Sequence, residues 1–413
     1  MSGAISDLSA RAILDSRGNP TVEVDCFVDG QLQGRAAVPS GASTGSYEAI
    51  ELRDGGDHWV GKGVASAVAN VNGEIRDALI GMNVADQQGI DTALVALDGT
   101  ENKARLGANA MLGVSMACLR ASSQGALWKH IAGEGPSSIP VPQMNILNGG
   151  AHAASNVDIQ EFMVVPHGFD SFSDALRAGV EIYHSLKSVL KEEGLLGGIG
   201  DEGGFAPNLP RNEDGLRLVL SAISGAGYTP GEQVSIALDC AAQEFCHDDG
   251  YHIDGGILSG SELGQLYSSW LDTYPIVSLE DAFGEDDWEA WSEFTAREGH
   301  RVQVVGDDLY VTNPTRLSKG IAEGASNAIL IKLNQIGTVS ETMRVIEMAR
   351  SAGFATIISH RSGETSDHMI SDLAVGTNAG QIKTGAPARS DRTAKYNQLI
   401  RISEQCDNYA SLF

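Results

Sequence analysis

Residues 276–308 read IVSLEDAFGEDDWEAWSEFTAREGHRVQVVGDD, and this stretch decides the fold. A short apolar run ends on Glu280, an amphipathic segment follows from Trp288 to Arg297, and a second apolar run ends at Asp307. Short apolar runs bounded by turns suit buried strands, and the longer amphipathic segment suits a helix, so the stretch predicts a strand, a crossover helix and a parallel strand. Upstream, SIALD ends on Asp239 before a helical segment near Leu263 to Leu271. Downstream, Leu330-Ile331 is closed by Lys332, and His360 and Lys383 close the next two runs. These six ionisable residues are spaced by about one strand-helix unit each, roughly 30 residues. A single acidic residue after a strand is ordinarily a helix cap or a solvated loop residue. Six in succession, two of them lysines, are not explained as caps. In a closed parallel barrel all C-terminal strand ends converge on one mouth, whereas an open doubly wound sheet offers only its switch-point crevice. The pattern predicts an α/β barrel whose mouth gathers these residues.

The first third reads differently. Val22, Val24, Cys26 and Val28 alternate with more polar neighbours, and Asp29-Gly30 turns the chain into a second extended run reaching Val38, which predicts an antiparallel hairpin. Apolar residues recur at helical spacing from Asn109 to Gln124, and a long helix is expected before Ile131. GEGPSSIPVP, Gly133 to Pro142, makes a boundary between an α+β domain over 1–132 and the barrel over 133–413.

Bulk properties narrow the partners. Fifty-four acidic against 28 basic residues give a net charge of -26, which repels nucleic-acid phosphates and anionic membranes. Neither nucleic acid nor membrane is expected as a partner. A small anionic substrate requires local Lys, Arg or bound cations to reverse the field. The cysteines, Cys26, Cys118, Cys240, Cys246 and Cys406, are odd in number and lack CxxC spacing, so a reducing cytoplasm is expected. The opening MSGAISDLSAR carries no apolar signal region.

Asp239, Glu280 and Asp307 would present three carboxylates to the mouth, a hard-oxygen set suited to Mg²⁺, with no Cys or His cluster for zinc. Without a cation the three charges would repel and raise their own pKa values, which weighs against a purely structural cluster. Lys332 and Lys383 lie among these acids. A lone lysine there is a salt-bridge partner, but beside a bound cation its pKa falls and it becomes a general base for a weakly acidic carbon. The loop VPSGASTG, Val38 to Gly45, offers small residues and backbone donors to a phosphate, or is a plain turn. Asn148 to Phe162 and Gly200 to Asn208 are polar segments flanking barrel strands. In them Glu202 stands beside Gly203-Gly204 with an accessible carboxylate, and His152 and Glu161 are placed to assist proton transfer or orient substrate.

The chain resembles the enolase family in DSRGNPTVEV, VPSGASTG, NGGAHA, DIQEFM, GDEGGFAPN, SLEDAFGEDDW, GDDLYVTNP, ILIKLNQIGT, ISHRSGET and GQIKTGAPARSDR, which together span nearly its whole length. The resemblance implies an N-terminal α+β domain capping an eight-stranded α/β barrel whose first strands and helices break the usual alternation, and a homodimer or a larger assembly of dimers. It implies Mg²⁺-dependent, reversible dehydration of 2-phosphoglycerate to phosphoenolpyruvate, with two Mg²⁺ per active site, the second arriving with substrate. By motif position, Asp239, Glu280 and Asp307 match the ligands of the tightly held Mg²⁺ and Ser40 that of the second. Lys332 matches the base that takes the C2 proton, and Glu202, supported by Glu161, the group that protonates the departing C3 hydroxyl. His360 and Lys383 match contacts to the substrate carboxylate region, His152 a residue that closes from a loop, and Arg361 with Ser362 the phosphate holders. Removal of a proton beside an ionised carboxylate builds a second negative charge on it, which cations neutralise; a Lys base with one or two Mg²⁺ is the stock example for this superfamily.

Two departures bear on substrate: Ala282 stands where many members carry Pro or Gly, and Gln243 replaces a common Ser. They leave open a relative acting on a phosphonate or another phosphorylated three-carbon acid. A binding or scaffold role is the reading from another class, and the complete acid-base set argues against it. A racemase of the superfamily would keep the three carboxylates without needing Glu202 or the Arg361-Ser362 pair.

Overall fold

A computed structural model of the chain describes residues 3–42, 45–123, 125–153, 155–406, 408–411 and 413. The hairpin expected from Val22 to Val38 forms the second and third strands of an antiparallel meander, Ile5–Leu14, Pro20–Val28 and Gln31–Ala37. Its turn places Asp29 and Gly30 at φ of 52° and 74°, the pair of positive angles that matches the twist of the flanking strands. The helix Ala108–Ser123 lies on this sheet and is buried on nearly every side. Gly34 permits the approach: a Cβ there would stand 2.1 Å from the Ala117 carbonyl oxygen. The single long helix expected before Ile131 is instead two, Ala108–Ser123 and Leu127–Ala132. Gly125 between them takes φ of 153°, a conformation open to glycine, and the chain re-aims there.

The second part is a closed barrel. Eight strands follow in chain order, Val141–Asn148, Glu161–Val165, Ser235–Asp239, Ile276–Glu280, Gln303–Gly306, Ala328–Ile331, Ala355–Ser359 and Gly380–Lys383, and the last pairs with the first. Glu161–Val165 runs antiparallel to both neighbours, and the other strand pairs are parallel. Two helices, Phe172–Glu192 and Asn212–Gly225, separate this reversed strand from the third, after which strand and helix alternate. The expected helices lie at Gly260–Thr273 and Trp288–Glu298. The first is started by a capping box between Ser259 and Glu262, the second by Asp287 accepting the Ala290 amide. Among the described residues, no helix is long and apolar enough to cross a membrane.

The N-terminal domain covers the mouth, and a half-buried ion pair ties the two parts together. Arg120 donates two hydrogen bonds, of 2.6 and 2.7 Å, to Asp367. Asp367 also accepts the amides of Ala37 and Met369. Burial pushes the Asp367 carboxyl up, but Arg120 and the amides more than offset it and hold it below its usual value. A carboxyl lowered in the folded state contributes stability that is complete above its unfolded pKa, about 3.9, and is lost as pH falls through the folded one. Asp367→Asn is expected to lower the unfolding free energy at pH 7 by about 2 kcal/mol, since it removes the charge that a half-buried guanidinium is hydrogen-bonded to. Urea denaturation of both proteins should show that gap closing below about pH 4.

Candidate active site

In-register pairing of the barrel strands brings their final residues to one rim. Glu280 is the register partner of Asp239, and Asp239 of Glu161. Asp307, Lys332 and His360 are each the first residue beyond a strand, and Lys383 is the last residue of the closing strand. Lys383 Nζ lies 2.8 Å from Asp239 Oδ2, 2.8 Å from Glu280 Oε1 and 3.2 Å from Glu161 Oε1, while Lys332 Nζ pairs with Asp307 Oδ2. His152, Glu161, Glu202, Asp239, Asp307, Lys332, His360, Arg361, Ser362 and Lys383 line a single cavity, and Glu280 lies behind Lys383. With both lysines laid on the carboxylates, the cavity is only about 20 Å³, room for one water. A larger space of about 400 Å³, lined by Arg17, Ser40, Arg53, Lys62 and Asn334, lies on the N-terminal-domain side, and Asn334 joins the two by accepting from Arg361.

The electrostatics of the rim follow from burial and from which charge lies nearest. Burial and the neighbouring Asp239 raise the Glu280 carboxyl well above its usual value. Asp239 is also pushed up by burial, but Lys383 more than offsets this and leaves it lowered. Asp239, Glu280 and Asp307 offer only oxygen donors, the chemistry a hard divalent cation takes, but among the described residues the carboxyls whose oxygens lie close enough to share one ion are those of Asp281, Asp307 and Asp308. The sequence predicted a lowered pKa for the lysines, and the protein groups by themselves do the reverse. Burial pushes Lys332 down, but Asp307 more than offsets it, and Lys383 is held well above its usual value by Asp239, Glu161 and Glu280. A neutral lysine here requires positive charge brought onto those carboxylates.

Across the cavity, His152 Nδ1 lies 3.5 Å from Glu161 and 3.7 Å from Glu202, and His360 Nε2 faces Glu202 Oε2 at 3.3 Å. Arg392 donates to His360 Nδ1. Because a guanidinium only donates, Nδ1 is the acceptor and the neutral ring carries its proton on Nε2, toward Glu202. Burial lowers His360 to about 3 and lowers His152 as well. Glu202 is pushed up by burial, yet His360, His152 and Arg392 hold it well below its usual value, whereas burial and the Glu202 charge raise Glu161 well above. The two carboxyls are thus pushed in opposite directions, a pattern shared with acid-base sites generally. Glu202, expected to present an accessible carboxylate, is a buried residue that lines the cavity.

Ser40 is the candidate that the structure does not bring to the ring. Its hydroxyl accepts from Arg53 at 2.9 Å and Arg17 at 3.3 Å and donates to Glu51 at 3.1 Å, and its backbone pairs with Gly363. Two guanidiniums aimed at one oxygen oppose a cation there. Ser43 and Thr44, in the stretch read as a possible phosphate cradle, lie outside the described residues. Arg361 and Ser362 do reach the cavity.

Some residues of the site were not picked out from the sequence. Arg392, fully buried, donates to His360 and to the carbonyls of Arg361, Ser362 and Asp201, so it sets the turn that carries three candidates. It stands in the quoted motif GQIKTGAPARSDR, but a charged residue on a helix has no local mark of burial. Asp281 accepts the amides of Asp307 and Asp308 at 2.9 and 2.8 Å and so aims the Asp307 carboxylate. Its φ of 42°, like the 44° of Ala241 after Asp239, is a strained conformation of the kind kept where a site needs it.

A family profile described as "Enolase, N-terminal domain" matches residues 5–131, and one described as "Enolase, C-terminal TIM barrel domain" matches residues 136–412. The chain belongs to the enolase family. A protein named Enolase from Acidothermus cellulolyticus is 56% identical over 409 residues, covering 98% of this chain and 95% of the relative. Another, from Natranaerobius thermophilus, is 56% identical over 406 residues, covering 97% and 95%. The two profiles agree with the closed barrel and the separate N-terminal sheet.

Proposed function

We propose that this chain is a phosphopyruvate hydratase that reversibly dehydrates 2-phosphoglycerate to phosphoenolpyruvate, with Mg²⁺ as cofactor. The observation that carries the reading is one rim holding three buried carboxylates and two lysines, with Glu161 and Glu202 facing His152 and His360 in the same cavity. Asp239, Glu280 and Asp307 would hold the resident Mg²⁺. Bound Mg²⁺ supplies positive charge to the substrate carboxylate as it gains a second negative charge. Lys332 takes the C2 proton onto Nζ, and the C3 hydroxyl leaves as water with a proton from Glu202. Glu161 supports that transfer from beside His152, which lies near both carboxyls. Lys383 and His360 orient the substrate carboxylate, and Arg361 with Ser362 hold the phosphate. A second Mg²⁺ arriving with substrate is part of the reading, but Ser40 is not proposed as its ligand. The N-terminal domain over 1–132 caps the barrel over 133–413.

Nothing at the site favours another substrate class. Ala282 is fully buried in the core, and Gln243 accepts the Glu285 amide at 3.0 Å, so neither departure faces the cavity. We read the unit as a homodimer acting in the cytoplasm on a small phosphorylated acid. Exposed Leu14, Trp59 and Val60 on the N-terminal domain offer apolar surface for such a contact. Buried Cys26 and Cys118, thiols 3.8 Å apart, suit a reducing compartment. Light scattering tests the dimer.

The decisive assay follows the ultraviolet absorbance of the enol phosphate. With Mg²⁺ the expected turnover lies within about 1–10³ s⁻¹. Chelation should abolish it and added Mg²⁺ restore it. A folded, Mg²⁺-loaded protein with no turnover of 2-phosphoglycerate would reject the reading.

A further inference from the structure

Glu48, from the N-terminal domain, sits at a junction to which the reaction as read gives no role. Its Oε2 accepts Arg361 Nη1 at 2.9 Å and its Oε1 accepts Nη2 at 3.0 Å, a two-pronged pair with both side chains buried. The same Oε1 accepts the amide of Gly45 at 3.1 Å, at the end of the Val38 to Gly45 loop. Gln335 Nε2 lies 3.4 Å from that oxygen and donates to Asp307 Oδ1 at 2.9 Å. The Gln335 side-chain oxygen accepts from Thr312, whose hydroxyl in turn accepts the Lys332 amide at 3.0 Å. One carboxylate therefore touches the arginine that faces the cavity and the end of the loop. Through a single amide it also reaches the acid and the lysine on the rim.

We propose that Glu48 is a positioning residue: it fixes the Arg361 guanidinium for the substrate phosphate and, through Gln335, ties it to Asp307, so that the phosphate site and the carboxylate rim hold one relative position. The proposal rests on the role given to Arg361 above. A two-pronged carboxylate sets the plane of a guanidinium as a single contact does not. An arginine ordered before the ligand arrives loses less freedom on binding it. Gln335, uncharged and with both ends of its amide committed, transmits position without adding charge next to the carboxylates.

The test compares the parent, Glu48→Gln, Glu48→Ala, Gln335→Met and Arg361→Lys, each loaded with Mg²⁺. Inorganic phosphate is titrated against the thermal unfolding midpoint, a readout independent of turnover. The kcat and KM for 2-phosphoglycerate are measured alongside. Glu48→Gln, nearly the same in shape, is expected to weaken phosphate binding about tenfold and to raise KM more than it lowers kcat. Added to Arg361→Lys it should have little further effect, since the two act as a unit. Gln335→Met should give the same signature at about threefold. Phosphate binding within twofold of the parent in Glu48→Gln, tighter binding, or effects that simply add would each overturn the proposal. Tighter binding would mean that Glu48 competes with phosphate for Arg361. If Glu48→Ala does not fold, Glu48→Gln carries the test. A parent that turns over 2-phosphoglycerate while Glu48→Gln binds phosphate normally sinks only this inference, whereas an inactive parent sinks the functional reading itself.

Discussion

Lys332→Ala is expected to lower kcat for 2-phosphoglycerate by about 10⁴-fold, the upper range for loss of a positioned general base. The fold should survive, because the Lys332 amide, and not its side chain, is bonded to Thr312. The lysine is half-buried, is paired with Asp307, and lies on the rim next to the carboxylates proposed to hold metal. With the amine removed, the lysine left on the rim is Lys383. Lys383 is held protonated by Asp239, Glu161 and Glu280. Exchange of the substrate C2 proton with solvent deuterium, followed by NMR, should vanish together with dehydration. Exchange persisting at the parent rate in Lys332→Ala would move the base elsewhere.

Glu202→Gln is expected to cut dehydration by about 10³-fold while leaving C2 exchange with solvent largely intact. The two halves of the reaction use groups on opposite walls. Lys332 lies with Asp307, and Glu202 lies with His360 and Asn145. An amide keeps the shape of Glu202 and its neighbours but cannot hand a proton to a leaving hydroxyl. Measuring exchange and product formation on the same sample separates the roles. Loss of both to the same extent would mean that Glu202 shapes the site and does not deliver the proton.

Much of the site could be read along the chain because each barrel strand is a short apolar run whose end is marked by a residue of different chemistry. Asp239, Glu280, Asp307, Lys332, His360 and Lys383 were found that way, and the structure brings all six to one rim. The reversed strand Glu161–Val165 could not be found so, since a two-residue alternation looks the same in either direction. The break at Gly125 was missed because the apolar periodicity resumes after it. Ser40 was drawn in by its motif, while its actual partners, Arg17, Arg53 and Glu51, are fixed by chain folding. Arg392 and Glu48 carried no local signal, for their partners lie 32 and 313 residues away.

The sequence by itself determined the order of strands and helices and which residue ends each strand, because those properties depend on neighbours a few positions apart. Only the tertiary structure decided how each charge is biased: that the Glu161 carboxyl is pushed well above its usual value while Glu202 is held well below, that both lysines are held above theirs, and that Glu48 grips Arg361. The reason is that ionisation answers to burial and to the distance between charges in space. Residues more than a hundred positions apart, such as Asp239 and Lys383, set each other's charge at 2.8 Å.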